Sequence, residues 1–384
     1  MKVLQVHNTY QFSGGEDVVV ANEARLLRSG GIEVEQLLFD NEDVGPAAVF
    51  YNRRAVAAFR SKVAEFNPDI VHVHNLFYKA SPGILTACRK LGIPVVMTLH
   101  NYRLMCPNAL YLRDGKVCTL CKQKRLALPA IRHKCFKDSY TKTAVLTAAL
   151  FTHQLKNTWN SCVDRFLVLT PFARKNLLDS ALSVDPSKIH VKANSTDNIT
   201  NDIPADQREG YLYIGRLSAE KGVDVLIRAF NQLENQELKI IGTGEMEEEL
   251  KKLAGPNIRF LGTREKPFVQ DQLKRTKALV FPSIVYEGLP NTILEAYSAS
   301  TPVIASDIDN INSIVTDGHN GMLFKLGDSD SLAQYILDFE AEPRPMIYAN
   351  ARSTFEQYYS HDRNFEALLS VYQETINAHE TKDN

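Results

Sequence analysis

The sequence predicts an α/β protein made of two doubly wound, Rossmann-like domains in series. Three observations predict it. Short β-branched runs alternate with longer segments of helical period, the pattern of a parallel sheet wrapped on both faces. The alternation stops in a polar stretch and then restarts. The length, 384 residues, suits two domains of ordinary size.

In the first half, Lys2–His7, Ile70–His74, Pro94–Leu99 and Arg165–Leu169 read as buried strands, with Val18–Arg28, Ala55–Phe66 and Phe172–Asp179 as helices between them. Residues Asn194–Gly210 hold two isoleucines and little else to bury, so they read as a linker. Beyond it, Tyr211–Ile214, Lys239–Ile241, Ile258–Leu261, Ala278–Phe281 and Pro302–Ala305 read as strands, and Val223–Gln232 and Glu247–Leu253 as helices. The expected division is 1–195 and 196–353, with a Cys-bearing insert at about 103–140 and a helical tail over 354–384. Ligands of open parallel sheets bind beyond the carboxyl ends of the strands. Polar residues just after strands are therefore the candidates for function.

Apolar residues make up 44% and charged residues 23%, and the formal net charge is −1. That is a soluble globular composition without bulk attraction to nucleic acid. No run approaches the ~20 apolar residues of a spanning helix. The N-terminus, MKVLQVHNTY, enters a strand with no secretory leader. A cytoplasmic protein is expected, whose six cysteines are thiols or metal ligands rather than disulfides.

Two segments of the second half carry the sharpest signal. In YLYIGRLSAEKG, Arg216 and Lys221 follow a strand on one loop, a fork of donors and a point charge suited to a diphosphate. In FPSIVYEGLPNTILEA, Glu287 lies in a loop, Gly288, Leu289 and Pro290 make a turn, and Glu295 falls early in a helix whose first amides point outward. Each segment alone also fits a blander reading, a solvated basic loop or a capped surface helix with two unrelated acids. IGTGEME places Glu247 where a dinucleotide fingerprint needs its third glycine, so it reads as a strand-to-helix turn and speaks against a nicotinamide dehydrogenase.

Taken together, GRLSAEKG and EGLPNTILE resemble the family-4 retaining glycosyltransferases of GT-B architecture, and the resemblance covers most of the chain. It implies two Rossmann-like domains facing across a cleft, with the tail returning to the first. It implies that Arg216 and Lys221 bind the diphosphate of a UDP- or GDP-sugar, that Glu287 contacts the donor sugar, and that Glu295 holds the ribose hydroxyls. The backbone of Leu289, Pro290 and Asn291, with Gly288 and Thr292 beside them, would hold sugar and phosphate oxygens. Gly262 and Arg264 fall where the family contacts the base. One departure is NSTD at Asn194–Asp197, where the family has a glycine or apolar residue at the hinge.

In the first half, Gly14 and Gly15 follow a strand and precede a helix, a turn that lets amides approach a phosphate. The resemblance gives Gly15 the diphosphate. His74 with Asn75, and His100 with Asn101, end two strands of one sheet. The resemblance puts His100 beside the reacting sugar, counting it with Glu287, Arg216 and Lys221 as catalytic, and puts His74, Asn75, Asn101 and Arg103 toward the acceptor.

Cys106, Cys118, Cys121 and Cys135 fit the spacing of a tetrahedral structural zinc, with His133 as a substitute ligand; unliganded thiols and an iron–sulfur cluster are the alternatives. No catalytic metal is implied. A similar insert marks a bacterial subset that builds surface polysaccharides: lipopolysaccharide, capsule or exopolysaccharide. Cys121–Lys142 carries a net charge of +6 and precedes the apolar run Ala144–Leu155. That suits the inner surface of a membrane and a lipid-linked or oligosaccharide acceptor, or else a solvated face over a core helix. A GT-B nucleotide-sugar epimerase and a non-catalytic nucleotide-sugar-binding protein are the functional alternatives.

Overall fold

The computed structural model describes residues 1–9, 15–42, 45–342 and 344–383. The chain divides into two compact units. One comprises Met1–Tyr111, Thr119–Asn194 and Asn364–Asn384, the other Leu112–Cys118 and Ser195–Arg363.

The N-terminal half supplies strands β1 (Lys2–Asn8), β2 (Glu33–Phe39), β3 (Ile70–Asn75) and β4 (Val95–Leu99). A short antiparallel hairpin follows, β5 (Leu112–Arg113) and β6 (Lys116–Val117). Its tip, Asp114 and Gly115, has φ of 51° and 70°, the left-handed pair that an Asp-Gly turn supplies. The strands β7 (Arg165–Val168) and β8 (Ile189–Val191) complete a six-stranded sheet of order β2-β1-β3-β4-β7-β8. Every pairing in it is parallel. Val3, Leu4, Val6, Ile70, Val71 and Val73 are fully buried, because helices cover both faces.

Those helices are α1 (Gly15–Ser29), α2 (Arg53–Phe66), α3 (Gly83–Lys90), α4 (Leu128–Arg132), α5 (Tyr140–Leu155), α6 (Thr158–Cys162) and α7 (Pro171–Leu178). Several start at a capping side chain. The Asn52 oxygen accepts from the amides of Arg54 and Ala55, Ser139 from Lys142, and Thr170 from Ala173 just ahead of Pro171.

The second unit repeats the plan. Strands β9 (Tyr211–Ile214), β10 (Leu238–Ile241), β11 (Ile258–Gly262), β12 (Ala278–Phe281), β13 (Val303–Asp307) and β14 (Gly321–Lys325) form a parallel sheet of order β11-β10-β9-β12-β13-β14. That is the dinucleotide-fold order, which reverses between β9 and β12. Its helices are α8 (Val223–Phe230), α9 (Glu247–Leu253), α10 (Lys266–Arg275), α11 (Asn291–Ser298), α12 (Ser329–Ala341) and α13 (Pro345–Tyr358). The turn after β10 is the strand-to-helix turn the sequence indicates. Gly242 has φ of 138°, and a Cβ there would stand 1.8 Å from the carbonyl oxygen of Gly215. Any other residue would push the β9 and β10 loops apart.

The last helix, α14 (His361–Asp383), belongs to the first unit from Asn364 onward. The crossing falls later than position 354, because α13 buries Ile347, Ala351 and Phe355 and packs on α11. Leu368, Val371 and Tyr372 join Val3, Ala24, Leu27, Ile70, Val96 and Leu167 in one apolar cluster. Leu368 is fully buried there, so Leu368→Ala should destabilise the protein by about 2–5 kcal/mol. Leu337, which is 48% exposed, should tolerate the same change within about 0.5 kcal/mol. Urea titration followed by circular dichroism compares the two; equal losses would refute the docking of α14.

Candidate functional site

The strand reversal in the second unit sets β9 beside β12. The loops after these two strands are the two signature segments. They are sewn together by their backbone. Ile284 N–H donates to the Glu220 carbonyl at 3.0 Å, and the Ser283 hydroxyl oxygen stands 3.3 Å from the same oxygen. Gly222 ends the first loop at φ 64°, and a Cβ on it would meet the Pro282 carbonyl at 2.2 Å. Only glycine permits that approach.

The side chains follow from this seam. Lys221 Nζ donates to Glu287 Oε1 at 2.6 Å, and the Ser283 hydroxyl donates to the same oxygen at 2.9 Å. Asn310 Nδ2 holds the Glu287 carbonyl at 3.0 Å. Arg216 Nη2 lies 3.0 Å from Glu220 Oε1, on a side chain 65% exposed. Lys221 and Glu287, 66 residues apart in the chain, are thus in contact, and Arg216 reaches the same pair of loops through Glu220.

Gly288 is half-buried and Leu289 and Pro290 are buried as they lead into α11, which starts at Asn291 and includes Thr292. Among the described residues no side-chain cap forms at that start, where Ile293 N–H donates to the Pro290 carbonyl at 3.1 Å. Glu295 lies one turn in. Burial pushes its carboxyl up to about 6; Lys266 offsets this and Asp197 adds to it. No hydrogen bond joins Glu295 to Lys221 or Glu287 among the described residues. Gly262 ends β11 at φ 67° and its carbonyl accepts from Gly242 at 3.0 Å, while the Arg264 guanidinium lies over the Phe268 ring at 5.2 Å.

In the first unit, Gly14 lies outside the described residues and Gly15 is the first residue of α1. His100 follows β4 and is half-buried; His74 lies behind it, buried, with its Nδ1 3.0 Å from His100 Nε2. Asn75 spends its side chain inside the fold, donating to the Asn8 carbonyl and accepting from Phe77 N–H, each at 3.0 Å. Asn101 accepts from Arg103 N–H at 3.0 Å and stands 3.4 Å from Glu16. Arg103 is stapled rather than free-swinging: it donates to the Tyr78 hydroxyl and the Pro107 carbonyl, and lies over the rings of Tyr78 and Phe136.

Among the described residues, Glu23, His72 and His74 form the one group of three side chains with ligand atoms within 4.8 Å of one another, and no three of the four cysteines do so. The expected zinc knuckle therefore finds no support in this geometry. Conversely, Glu23, Lys192, His72 and His74 form a buried polar cluster that the sequence reading passed over. The available signal was an acid on the apolar face of α1, among Val19, Val20, Ala24 and Leu27.

Comparison with known proteins decides the family. The model of the "Glycosyl transferase 4-like domain" matches residues 14–195, and that of "Glycosyl transferases group 1" matches residues 208–341. The chain belongs to these group 1, family-4-like glycosyltransferases. This glycosyltransferase is 25% identical to an uncharacterised glycosyltransferase of Methanocaldococcus jannaschii, over 97% of this chain and 98% of that one. It is 28% identical to the putative teichuronic acid biosynthesis glycosyltransferase TuaC of Bacillus subtilis, over 84% of this chain and 75% of that one. Among solved structures, HepE of Anabaena with UDP and glucose superposes with a TM-score of 0.69 at 16% identity, covering 97% of this chain and all of that one. The fold of the glycosyltransferase is accordingly GT-B.

The raised Glu295 carboxyl makes a stability prediction. Folded Glu295 keeps its proton to about pH 6, against 4.5 when unfolded. Between these values the folded state binds more protons, so stability falls as pH rises from about 4.5 to 6 and stays lower above. The shift corresponds to on the order of 2 kcal/mol. Glu295→Gln should therefore raise the melting temperature at pH 8 and leave it nearly unchanged at pH 4. An equal change at both pH values would contradict the assignment.

Proposed function

We propose that this glycosyltransferase moves a sugar, with retention at the anomeric carbon, from a UDP- or GDP-sugar to a lipid-linked or glycan acceptor in cell-surface polysaccharide assembly. The observation that carries the reading is the 2.6 Å contact of Lys221 with Glu287. It brings the cation of one loop and the acid of the other to a single point at the strand reversal, where this class of sheet binds nucleotides. HepE, with the same fold, was crystallised with UDP and glucose, and a relative is named for teichuronic acid biosynthesis.

In this reading Arg216 and Lys221 face the donor diphosphate. As the glycosidic bond breaks, charge develops on the leaving phosphate oxygen, and the two cations stabilise it where it appears. They supply positive charge themselves, so the reading calls for no catalytic metal. The sugar passes through an oxocarbenium-like state. The acceptor hydroxyl attacks from the departing face and gives its proton to a donor phosphate oxygen. Glu287 orients the sugar, the first amides of α11 hold its oxygens, and Glu295 accepts from the ribose hydroxyls. His100 serves a hydroxyl of a bound sugar.

Peripheral attachment to an anionic membrane belongs to the same proposal. Leu120, Leu128 and Tyr140 are 50%, 59% and 55% exposed, beside the exposed Lys124, Arg125, Arg132, Lys137 and Lys142. Apolar and basic side chains together suit an anionic leaflet. Among the described residues no helix is long and apolar enough to cross a membrane.

Lys221→Ala and Glu287→Gln should each lower kcat/KM for transfer by about 10²–10³, with unchanged far-ultraviolet circular dichroism. The assay is a screen of UDP- and GDP-sugars against lipid extracts, with the anomeric configuration of the product read by proton NMR. Near-normal turnover in either variant would defeat the assignment, and an isomerised donor sugar without transfer would indicate an epimerase. On vesicles containing phosphatidylglycerol, the triple change Lys124→Glu, Arg125→Glu, Arg132→Glu should weaken binding at least about 100-fold, at about 1 kcal/mol per lost basic charge. Equal sedimentation of variant and wild type would remove the membrane proposal.

A further inference from the structure

Under His100 lies a buried polar cluster that packing alone does not explain. Glu23 of α1 is 5% exposed and Lys192, just after β8, is also 5% exposed. Lys192 Nζ donates to Glu23 Oε2 at 2.7 Å. The other carboxylate oxygen, Oε1, accepts from Gln5 Nε2 at 3.1 Å and stands 3.1 Å from His72 Nδ1 and 3.4 Å from His74 Nε2. A metal is a poor fit here. It would have to displace the lysine, and His72 already bonds the Tyr372 hydroxyl at 2.6 Å and the Thr98 hydroxyl at 2.7 Å through its two nitrogens.

The cluster has a direction. Burial pushes the Glu23 carboxyl up, but Lys192 and then His72 pull it well below its ordinary value, so it is ionised and only accepts. Burial, followed by the neighbouring His72, takes His74 down to about 3, and burial followed by His74 takes His100 well below its ordinary value. Both rings are neutral at pH 7, and each carries one proton. The negative oxygen of Glu23 favours the His74 proton on Nε2, the nitrogen facing it; a lone pair there would be repelled. His74 Nδ1 is then an acceptor. His100 Nε2, 3.0 Å away, must be the donor. Its proton is fixed on Nε2, and Nδ1 is left as a lone pair.

We infer that Glu23, anchored by Lys192, acts through His74 to hold His100 in the Nε2–H tautomer, so that Nδ1 accepts from a hydroxyl of a bound sugar. This rests on the reading of His100 as a sugar-facing residue. Glu23, Lys192 and His74 are positioning residues; none of them touches the substrate. A ring fixed in this way selects a sugar bearing a hydroxyl at that place, because a deoxy analogue would leave a buried acceptor unpaired.

The experiment uses the full chain labelled with 15N-histidine, at pH 7.5. Long-range nitrogen–proton spectra distinguish protonated from bare ring nitrogens, and His100→Gln assigns the His100 signals by their loss. The expected wild-type result is one pattern, with Nδ1 bare and Nε2 protonated. In His74→Leu, which spares the Glu23–Lys192 pair, that single pattern should give way to both tautomers. If His74→Leu does not fold, the paired change Glu23→Gln, Lys192→Met removes both buried charges together and should give the same mixture. A protonated His100 Nδ1 in the wild type, or an unaltered single pattern in the variant, overturns the inference. Of UDP-glucose and GDP-mannose added in turn, at least one should move the His100 Nδ1 resonance where UDP and GDP alone do not. A single Nε2–H pattern without that response would overturn the sugar-facing role of His100 while upholding the relay.

Discussion

The contact between Lys221 and Glu287 is the constraint from which the second unit's chemistry follows. Neither residue is placed by its own segment alone. The sheet order sets β9 next to β12, Gly222 lets the two loops touch, and the Glu220 carbonyl binds them through Ile284. A cation and an acid so fixed keep their geometry without spending binding energy on ordering, which is what stabilising a developing charge requires. Arg216, by contrast, is mostly exposed and held by one acid; it has room to reorient toward an anion.

The first unit applies the same physics to a neutral group. A buried carboxylate is costly unless paired and hydrogen-bonded, and Glu23 is both. Its partners come from β1, β3 and the end of β8, while Tyr372 of α14 closes the far side of His72. The C-terminal helix therefore does more than fill an apolar groove. The Tyr372 hydroxyl takes the one nitrogen of His72 that also faces Glu23, and so ties α14 to the histidine pair beneath His100.

Much of this was legible in the sequence. The β/α alternation gave both sheets, because strands buried on two faces need continuous apolar runs. GRLSAEKG and EGLPNTILE each follow a strand, which places both at the carboxyl edge of one sheet. Elements with weaker apolar character escaped: β2 opens with two acids and a glutamine around a single valine, β8 is three residues long, and the β5–β6 hairpin rests on a lone Asp-Gly. The pairing of Glu23 with Lys192 spans 169 residues, and no local period signals it. The cysteine spacing shows the limit of such reading: sequence separation permits a knuckle, but the side chains must also converge, and among the described residues no three of them bring their ligand atoms within 4.8 Å.

The most direct measurement is a crystal structure of the protein grown with UDP and, separately, with GDP. The account requires one of the nucleotides to lie at the strand reversal of the second unit. Its diphosphate oxygens should be within hydrogen-bond reach of Arg216 and Lys221, its ribose hydroxyls on Glu295, and its base near Gly262. A nucleotide bound elsewhere on the molecule, or bound at the reversal with Lys221 and Glu295 turned away from it, would contradict the account.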